Sequence, residues 1–256
     1  MEDEKKTFTG MKENHIEGRN AVLEAFRSGR TIDKLYVLDG CQDGPVRSIT
    51  REARKHDTIV NYVTKERLDQ ISETGKHQGV IAVSAAYDYA SVEDILALAE
   101  KKGEPPFILI LDGIEDPHNL GAIIRTANQA GAHGVIIPKR RAVGLTPTVA
   151  RTSAGAVNYV PVAKVTNISN TMKELKDRGM WFVCADMDGT LMYDMDLTGP
   201  IGLVIGNEGD GVSPLVKKNC DMVASIPMKG DIDSLNASVA AGVLSYEIVR
   251  QRMKKG

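Results

Sequence analysis

LVIGNEGDGVS, residues 203–213, and DMVASIPMKGDIDSLNAS, residues 221–238, decide how this chain is read. Residues 203–205 and 222–226 are short apolar runs, each followed at once by glycine and polar residues, the pattern of a buried strand that ends in a loop. Only a short helical interval separates them. In open α/β sheets ligands bind beyond the carboxyl ends of strands, so two such loops close together form a candidate site.

The segments on either side extend the same alternation. From residue 107 the order is strand FILILD, helix NLGAIIRTANQAG, strand GVIIP, helix around TPTVARTSAG, strand NYVPVA, helix ISNTMKELKDRG, strands WFVCAD and LVIG, helix PLVKKN, strand MVASIP and a last long helix, LNASVAAGVLSYEIVRQRM. This predicts an α/β fold whose parallel sheet is covered on both faces. Residues 15–86 make a smaller α/β unit: a helix carrying Val22, Leu23 and Phe26 on one face and stopping at Gly29, strand IDKLYVLDG, a helix over about 46–56, strand TIVNYVT, helix KERLDQIS and strand GVIAVSAAY. Residues 87–90 are read as a linker, and residues 91–256 as the second domain. Ser91 and Asp94 stand as N-cap and N3 of its first helix, which Gly103, Pro105 and Pro106 end.

At 256 residues two domains are expected. With 42% hydrophobic and 26% charged residues and no apolar run near the ~18 residues of a membrane span, the sequence predicts no membrane segment. Residues 1–14 are charged and lack a hydrophobic stretch, so they read as a tail and not a secretory signal, and the cytoplasm is the expected compartment. Cys41, Cys184 and Cys220 suggest neither a disulfide framework nor a zinc site, and His15, His56, His77, His118 and His133 lack metal-ligand spacing, so no metal is expected. A net charge of -2 means that no global field draws the chain to nucleic acid. RNA binding would have to be local, at Arg47, Arg51, Arg54 and Lys55 on a predicted helix or at Lys139, Arg140 and Arg141 after a strand, although solvated surface charge accounts for either cluster.

VCADMDGTLM, residues 183–192, fits the D-x-D-G-T of haloacid-dehalogenase-type phosphatases, with Asp186 as nucleophile and Asp188 as acid/base. That motif belongs at the beginning of its domain, and here only a quarter of the chain follows it. A strand end with an Asp/Gly turn explains the same letters.

Three stretches carry the chemistry. LDGIEDPHNLGAIIRTANQAGAHGVII places Asn119 where an N-cap belongs and Leu120, Ile123, Ile124 and Ala127 on the buried side of a helix. Arg125 lies about 140° from Leu120 around the axis and points off that stripe. IGNEGDG sets Glu208 among glycines that let backbone approach a ligand. IPMKGDIDSLNAS puts Ser234, Asn236 and Ser238 about a helix start. Each has a structural reading alone: a cap, a turn, a surface ion pair.

Together and in this order, N-x-G-x-x-x-R-T-A (residues 119–127), G-N-E-G-x-G (206–211) and I-P-M with S-L-N-x-S (226–238) resemble the three motifs of the SpoU/TrmH branch of the SPOUT RNA methyltransferases. HIEGRNAVLEAF and KHQGVIA are similar to the ribosomal-protein-like substrate-binding domain of bacterial ribosomal RNA guanosine 2'-O-methyltransferases. The resemblance implies a small amino-terminal RNA-binding domain, a carboxy-terminal α/β domain with a deep trefoil knot, and a homodimer with sites near the subunit interface. It implies S-adenosylmethionine held through backbone at Gly206, Ile226 and Leu235, against apolar walls of Ile226, Met228 and Leu235, with Asn207, Gly211 and Ser238 nearby. The reaction implied is methyl transfer to a ribose 2'-hydroxyl of RNA, most of all a guanosine of 23S ribosomal RNA. In it Arg125 holds the 2'-oxygen, and Asn119, Glu208, Ser234 and Asn236 orient Arg125, the ribose and its phosphate. An arginine is charged throughout the accessible pH range, so its part is electrostatic, and the proton's destination stays open. A transfer RNA methyltransferase, a non-catalytic RNA-binding factor on the same fold and, more remotely, the phosphatase are the competing readings.

Overall fold

The computed structural model describes residues 14–231 and 234–255, so the expected tail lies, but for Asn14, outside the described residues. The chain separates into two compact units, one running to Asp88 with Gly144–Thr148, the other formed by Tyr89–Val143 and Val149–Gly256.

In the first unit β1 (His15–Glu17), β2 (Ile32–Leu38), β3 (Ile59–Val63) and β4 (Val80–Ser84) form a sheet in the order β1-β4-β2-β3. β2 and β3 are parallel, and β4 runs antiparallel to both of its neighbours. β1 is absent from the sequence reading because three residues, two of them polar, carry no periodic signal. Helices α1 (Arg19–Arg27), α2 (Gly44–Lys55) and α3 (Lys65–Ile71) join the strands. Val22 and Phe26 of α1 and Val46, Ile49 and Ala53 of α2 share one apolar cluster with Leu35 and Val37 of β2. α2 starts where the Asp43 side chain accepts the Val46 N–H and Pro45 fills the first turn, the usual chemistry of a helix N-terminus.

The second unit holds six parallel strands: β5 (Phe107–Asp112), β6 (Gly134–Pro138), β7 (Val162–Val165), β8 (Trp181–Leu191), β9 (Ile201–Gly206) and β10 (Met222–Ser225). Their order is β10-β8-β9-β5-β6-β7. The helices are α4 (Val92–Lys102), α5 (Pro117–Gln129), α6 (Pro147–Thr152), α7 (Ile168–Lys176), α8 (Pro214–Lys218) and α9 (Ala237–Lys255). Strands buried on both faces explain the continuous apolar runs: Ile108, Leu109 and Val204 are fully buried. α4 carries the expected capping box of Ser91 and Asp94 and ends at Gly103 in the left-handed conformation.

Three local expectations are corrected. Asp116, not Asn119, caps α5: its side chain accepts the His118 N–H, and Pro117 at the first helical position fixes the start there. The residues NYV precede a strand instead of opening one, since residues 156–158 form a 3-10 turn and β7 begins at Val162. DMDGT is not a turn after a strand. β8 continues to Leu191, with Val223 opposite Cys184 but Ala224 opposite Thr190, so the residues between are bulged out. Gly189 is required in that bulge, because a Cβ there would lie 2.4 Å from the carbonyl oxygen of Val223.

Candidate functional site

The sheet order puts β5 and β9 side by side, and their carboxyl ends, Asp112 and Gly206, are register partners. β5 leads onward to β6 on one side while β9 and β8 lie on the other, so the strand order reverses here. A crevice is expected beyond strands at such a point. Three loops meet there: the one from β5 into α5, the one after β9, and the one from β10 into α9.

The loop after β9 is built to hold its own shape. Asn207 Oδ1 accepts the N–H groups of Gly209 (2.9 Å) and Asp210 (2.7 Å), and the Gly211 N–H donates to the Asn207 carbonyl (3.1 Å). Gly211 has φ +67°, and a Cβ on Gly206 would lie 2.0 Å from the Gly211 carbonyl carbon. Both glycines are demanded by the loop's own closure, beside any ligand that approaches the same backbone. Asp112 Oδ2 ties the end of the loop to β5 by accepting the Ser213 N–H at 2.8 Å.

Asn119 lies one turn into α5 and is only 7% exposed. α5 can lie this deep because Gly121 lets it close on α6: a Cβ at Gly121 would stand 1.8 Å from Thr152 Oγ1. Asn119 Nδ2 donates to Glu208 Oε1, and Asn119 Oδ1 accepts from Asn236 Nδ2 at 3.0 Å. Asn236 is fixed in turn, its Oδ1 accepting from the Ser238 N–H (2.9 Å) and Ser238 Oγ (2.6 Å) at the start of α9. Side chains from the first turn of α5, from the loop after β9 and from the residue before α9 are thus chained in one orientation. Glu208 keeps Oε2 without a partner among the described residues.

Beside this chain opens a cavity of about 450 Å³ lined by Gly206, Asn207, Glu208, Gly211, Ile226, Met228, Ser234 and Leu235, all singled out from the sequence. Ile205, Ala224, Ala237 and Leu244 add apolar wall. An adenosyl-sized ligand fits: the volume lies in the usual range for small-molecule sites, with apolar wall from Ile205, Ile226, Met228 and Leu235 and polar backbone at its edge.

Two sequence-selected residues stand apart. Ser238 does not line the cavity, its hydroxyl being spent on Asn236. Arg125 lies two-thirds of a turn round α5 from Asn119, is exposed, and meets neither Asn119, Glu208 nor Asn236 among the described residues. Conversely, the cavity includes Asp186 and Lys217, an ion pair at 2.7 Å that the sequence reading did not place there. Burial alone would raise the Asp186 carboxyl, but the Lys217 ammonium and the backbone amides of Asp188 and Met187 hold it below the usual carboxylate range. Lys217 is raised in turn by its hydrogen bond to Asp186. Both stay charged at neutral pH. The only hint of Asp186's position was an Asp following an apolar strand.

Residues 106–246 match the SpoU rRNA Methylase family, and residues 15–90 match the family described as RNA 2'-O ribose methyltransferase substrate binding. The chain is 48% identical over 244 residues to YacO of Bacillus subtilis, a protein named as a TrmH family tRNA/rRNA methyltransferase, with 95% of this chain and 98% of the relative covered. Among solved structures it is similar to the SpoU methyltransferase AviRb from Streptomyces viridochromogenes in complex with AdoMet, at 28% identity and a TM-score of 0.60 over 94% of this chain and 90% of that one. An AdoMet-bound rRNA methyltransferase from Sinorhizobium meliloti matches at 25% identity and a TM-score of 0.58, covering 93% and 87% respectively.

Proposed function

The chain belongs to the SpoU rRNA methylase family, and from that premise we propose that it uses S-adenosylmethionine to methylate a ribose 2'-hydroxyl, with a guanosine of 23S ribosomal RNA as its target. The observation that carries this reading is the Glu208–Asn119–Asn236 chain beside an apolar-walled cavity. The bound cofactor supplies an activated methyl group on its sulfonium. Glycine-bounded backbone at 206–211 and the walls of Ile226, Met228 and Leu235 hold the adenosyl part. Ser234 lines the same cavity and orients the ribose phosphate. Asn119 and Asn236 fix Glu208, whose free Oε2 accepts a hydrogen bond from the ribose and aligns it for in-line attack. Arg125 stabilises the developing 2'-oxyanion.

Arg125 stands away from the cavity of its own copy, which supports a homodimer in which the sites lie near the subunit interface. Val239, Tyr246 and Met253, exposed at 48%, 51% and 78%, recur every seven residues on α9 and offer an apolar seam for it. Residues 15–86 serve as the RNA-binding domain and 87–90 as the linker to the methyltransferase domain of 91–256, whose last strands form the family's trefoil knot. A cytoplasmic location fits an RNA target, and no described helix is long and apolar enough to cross a membrane.

The test is transfer of labelled methyl from S-adenosylmethionine to total RNA, followed by alkaline hydrolysis. Label in an alkali-resistant dinucleotide mapping to the large-subunit RNA supports the proposal, and label in transfer RNA moves the substrate to the class that also appears in the YacO name. Label on a base, or no S-adenosylmethionine binding by calorimetry even with RNA present, would overturn it, the latter in favour of a non-catalytic RNA-binding factor. Arg125→Ala should abolish transfer and leave S-adenosylmethionine binding intact.

A further inference from the structure

We propose that the outer face of α2 and the end of β3 form a groove that grips a single-stranded stretch of the RNA substrate, gripping phosphates through Arg47, Arg51 and Arg54 and stacking a base on Tyr62. The inference rests on the reading of the chain as an RNA methyltransferase. The three arginines recur at spacings of four and three residues and so share one face of α2. With Tyr62, 54% exposed, they line an open groove of about 540 Å³. None of them has a partner among the described residues, whereas the other cations nearby are taken: Arg19 by Asp43 at 2.6 Å, Arg27 by Glu24 at 2.7 Å, and Lys55 by Glu52 at 2.8 Å. Lys55, grouped with these arginines in the sequence, thus drops out of the cluster. The one carboxylate lining the groove, Asp39, accepts the Gly40 N–H, so three cations face one anion.

On a chain whose net charge is -2 there is no global attraction to nucleic acid, so RNA binding would have to use a local cluster such as this one. Guanidinium forks match phosphate oxygens, and at 1.5 Å per residue Arg47 and Arg54 lie about 10 Å apart along the helix, enough to follow a backbone over successive phosphates. A duplex would hide its bases from Tyr62. A single strand offers both a backbone and a free ring face.

The experiment titrates the full chain into a fluorescein-labelled, mixed-sequence single-stranded RNA and follows anisotropy across a salt series. Replacing Arg47, Arg51 and Arg54 together by alanine should lower affinity at least about tenfold and flatten the slope of log affinity against log salt by about 2, at ~0.7 per phosphate contact. Their joint replacement by lysine should keep most of that slope, which separates lost charge from misfolding. Tyr62→Ala should weaken binding by roughly 5- to 100-fold and leave the slope unchanged. An unchanged slope in the alanine variant overturns the phosphate contacts, and an unchanged affinity in Tyr62→Ala overturns the stacking. Polyglutamate displacing the RNA as well as poly(U) does at equal charge would assign the groove to acidic peptides instead. Methyl transfer by the wild-type chain, run alongside, judges the enzymatic reading separately: its absence sinks that reading, while the salt slopes decide the groove.

Discussion

Asn119 is the residue on which the site turns, because an amide is the one side chain that can serve both of its neighbours. Its nitrogen donates to Glu208 and its oxygen accepts from Asn236. Asn119→Asp keeps the shape but replaces the donor with an anion that faces a carboxylate. Asn119→Ala removes both bonds and leaves the exposed Glu208 and Asn236 side chains free to turn away from each other. The aspartate variant should therefore be the worse of the two: kcat is expected to fall by roughly 10²-fold for alanine and further for aspartate. Calorimetry should find S-adenosylmethionine affinity changed by no more than about threefold, since Asn119 is not in the cavity lining. An aspartate variant as active as the wild type would refute the relay. From the sequence Asn119 looks like a helix cap, because an asparagine before an apolar periodic run usually is one. Asp116 and Pro117 take that role, and the structure moves Asn119 inside, where only its partners from two distant loops give it meaning.

At the scale of elements, legibility followed burial. Runs such as β5 and β9, and the stripe of Leu120, Ile123, Ile124 and Ala127 on α5, could be read because each residue's burial depends on its own element's period. β1 and the bulge in β8 could not, because each exists only through a partner strand, β4 in one case and β10 in the other. β1 also carries a contact that invites a test. The Glu17 carboxylate accepts hydrogen bonds from Ser72 Oγ (2.7 Å), the Glu73 N–H (2.5 Å), and both the N–H and hydroxyl of Thr74, clamping the segment after α3. Burial would raise this carboxyl, but the hydroxyls of Thr74 and Ser72 and the amides of Glu73 and Thr74 draw it down from 4.5 to about 2. A carboxyl depressed in the folded state contributes stability that is complete above the unfolded value and is lost as pH falls through the folded one, so the window here runs from about pH 4.5 down to 2. Glu17→Gln should destabilise the first unit by about 2 kcal/mol at pH 7, and by progressively less as pH drops through that window. Urea unfolding at a series of pH values measures this, and a difference between variant and wild type that does not change with pH would remove the clamp from the account.

For the whole molecule the decisive fact is what the cavity lacks. Under the proposed reaction a developing oxyanion needs a cation beside Glu208, and Lys217, the cation in the lining, is committed to Asp186. Arg125 is exposed, without a partner among the described residues, and does not line the cavity, so the lining of one copy offers Glu208 no free cation. A twofold dimer formed along the α9 seam resolves this if each copy lends its Arg125 to the other's cavity. Complementation separates the two arrangements. Arg125→Ala and Glu208→Ala should each be inactive as purified. If the sites are shared, unfolding and refolding an equimolar mixture gives half heterodimers, in which one site combines both wild-type residues and the other combines both alanines, so activity returns to about a quarter of the wild-type value. Sedimentation at the assay concentration must show a dimer, and replacing Tyr246 by glutamate, which puts a charge into the seam, should shift it toward monomer with loss of transfer but with the thermal transition retained. A mixture that stays at background while its refolded dimers are demonstrably mixed would place Arg125 and Glu208 on the same copy, and the shared site would have to be abandoned.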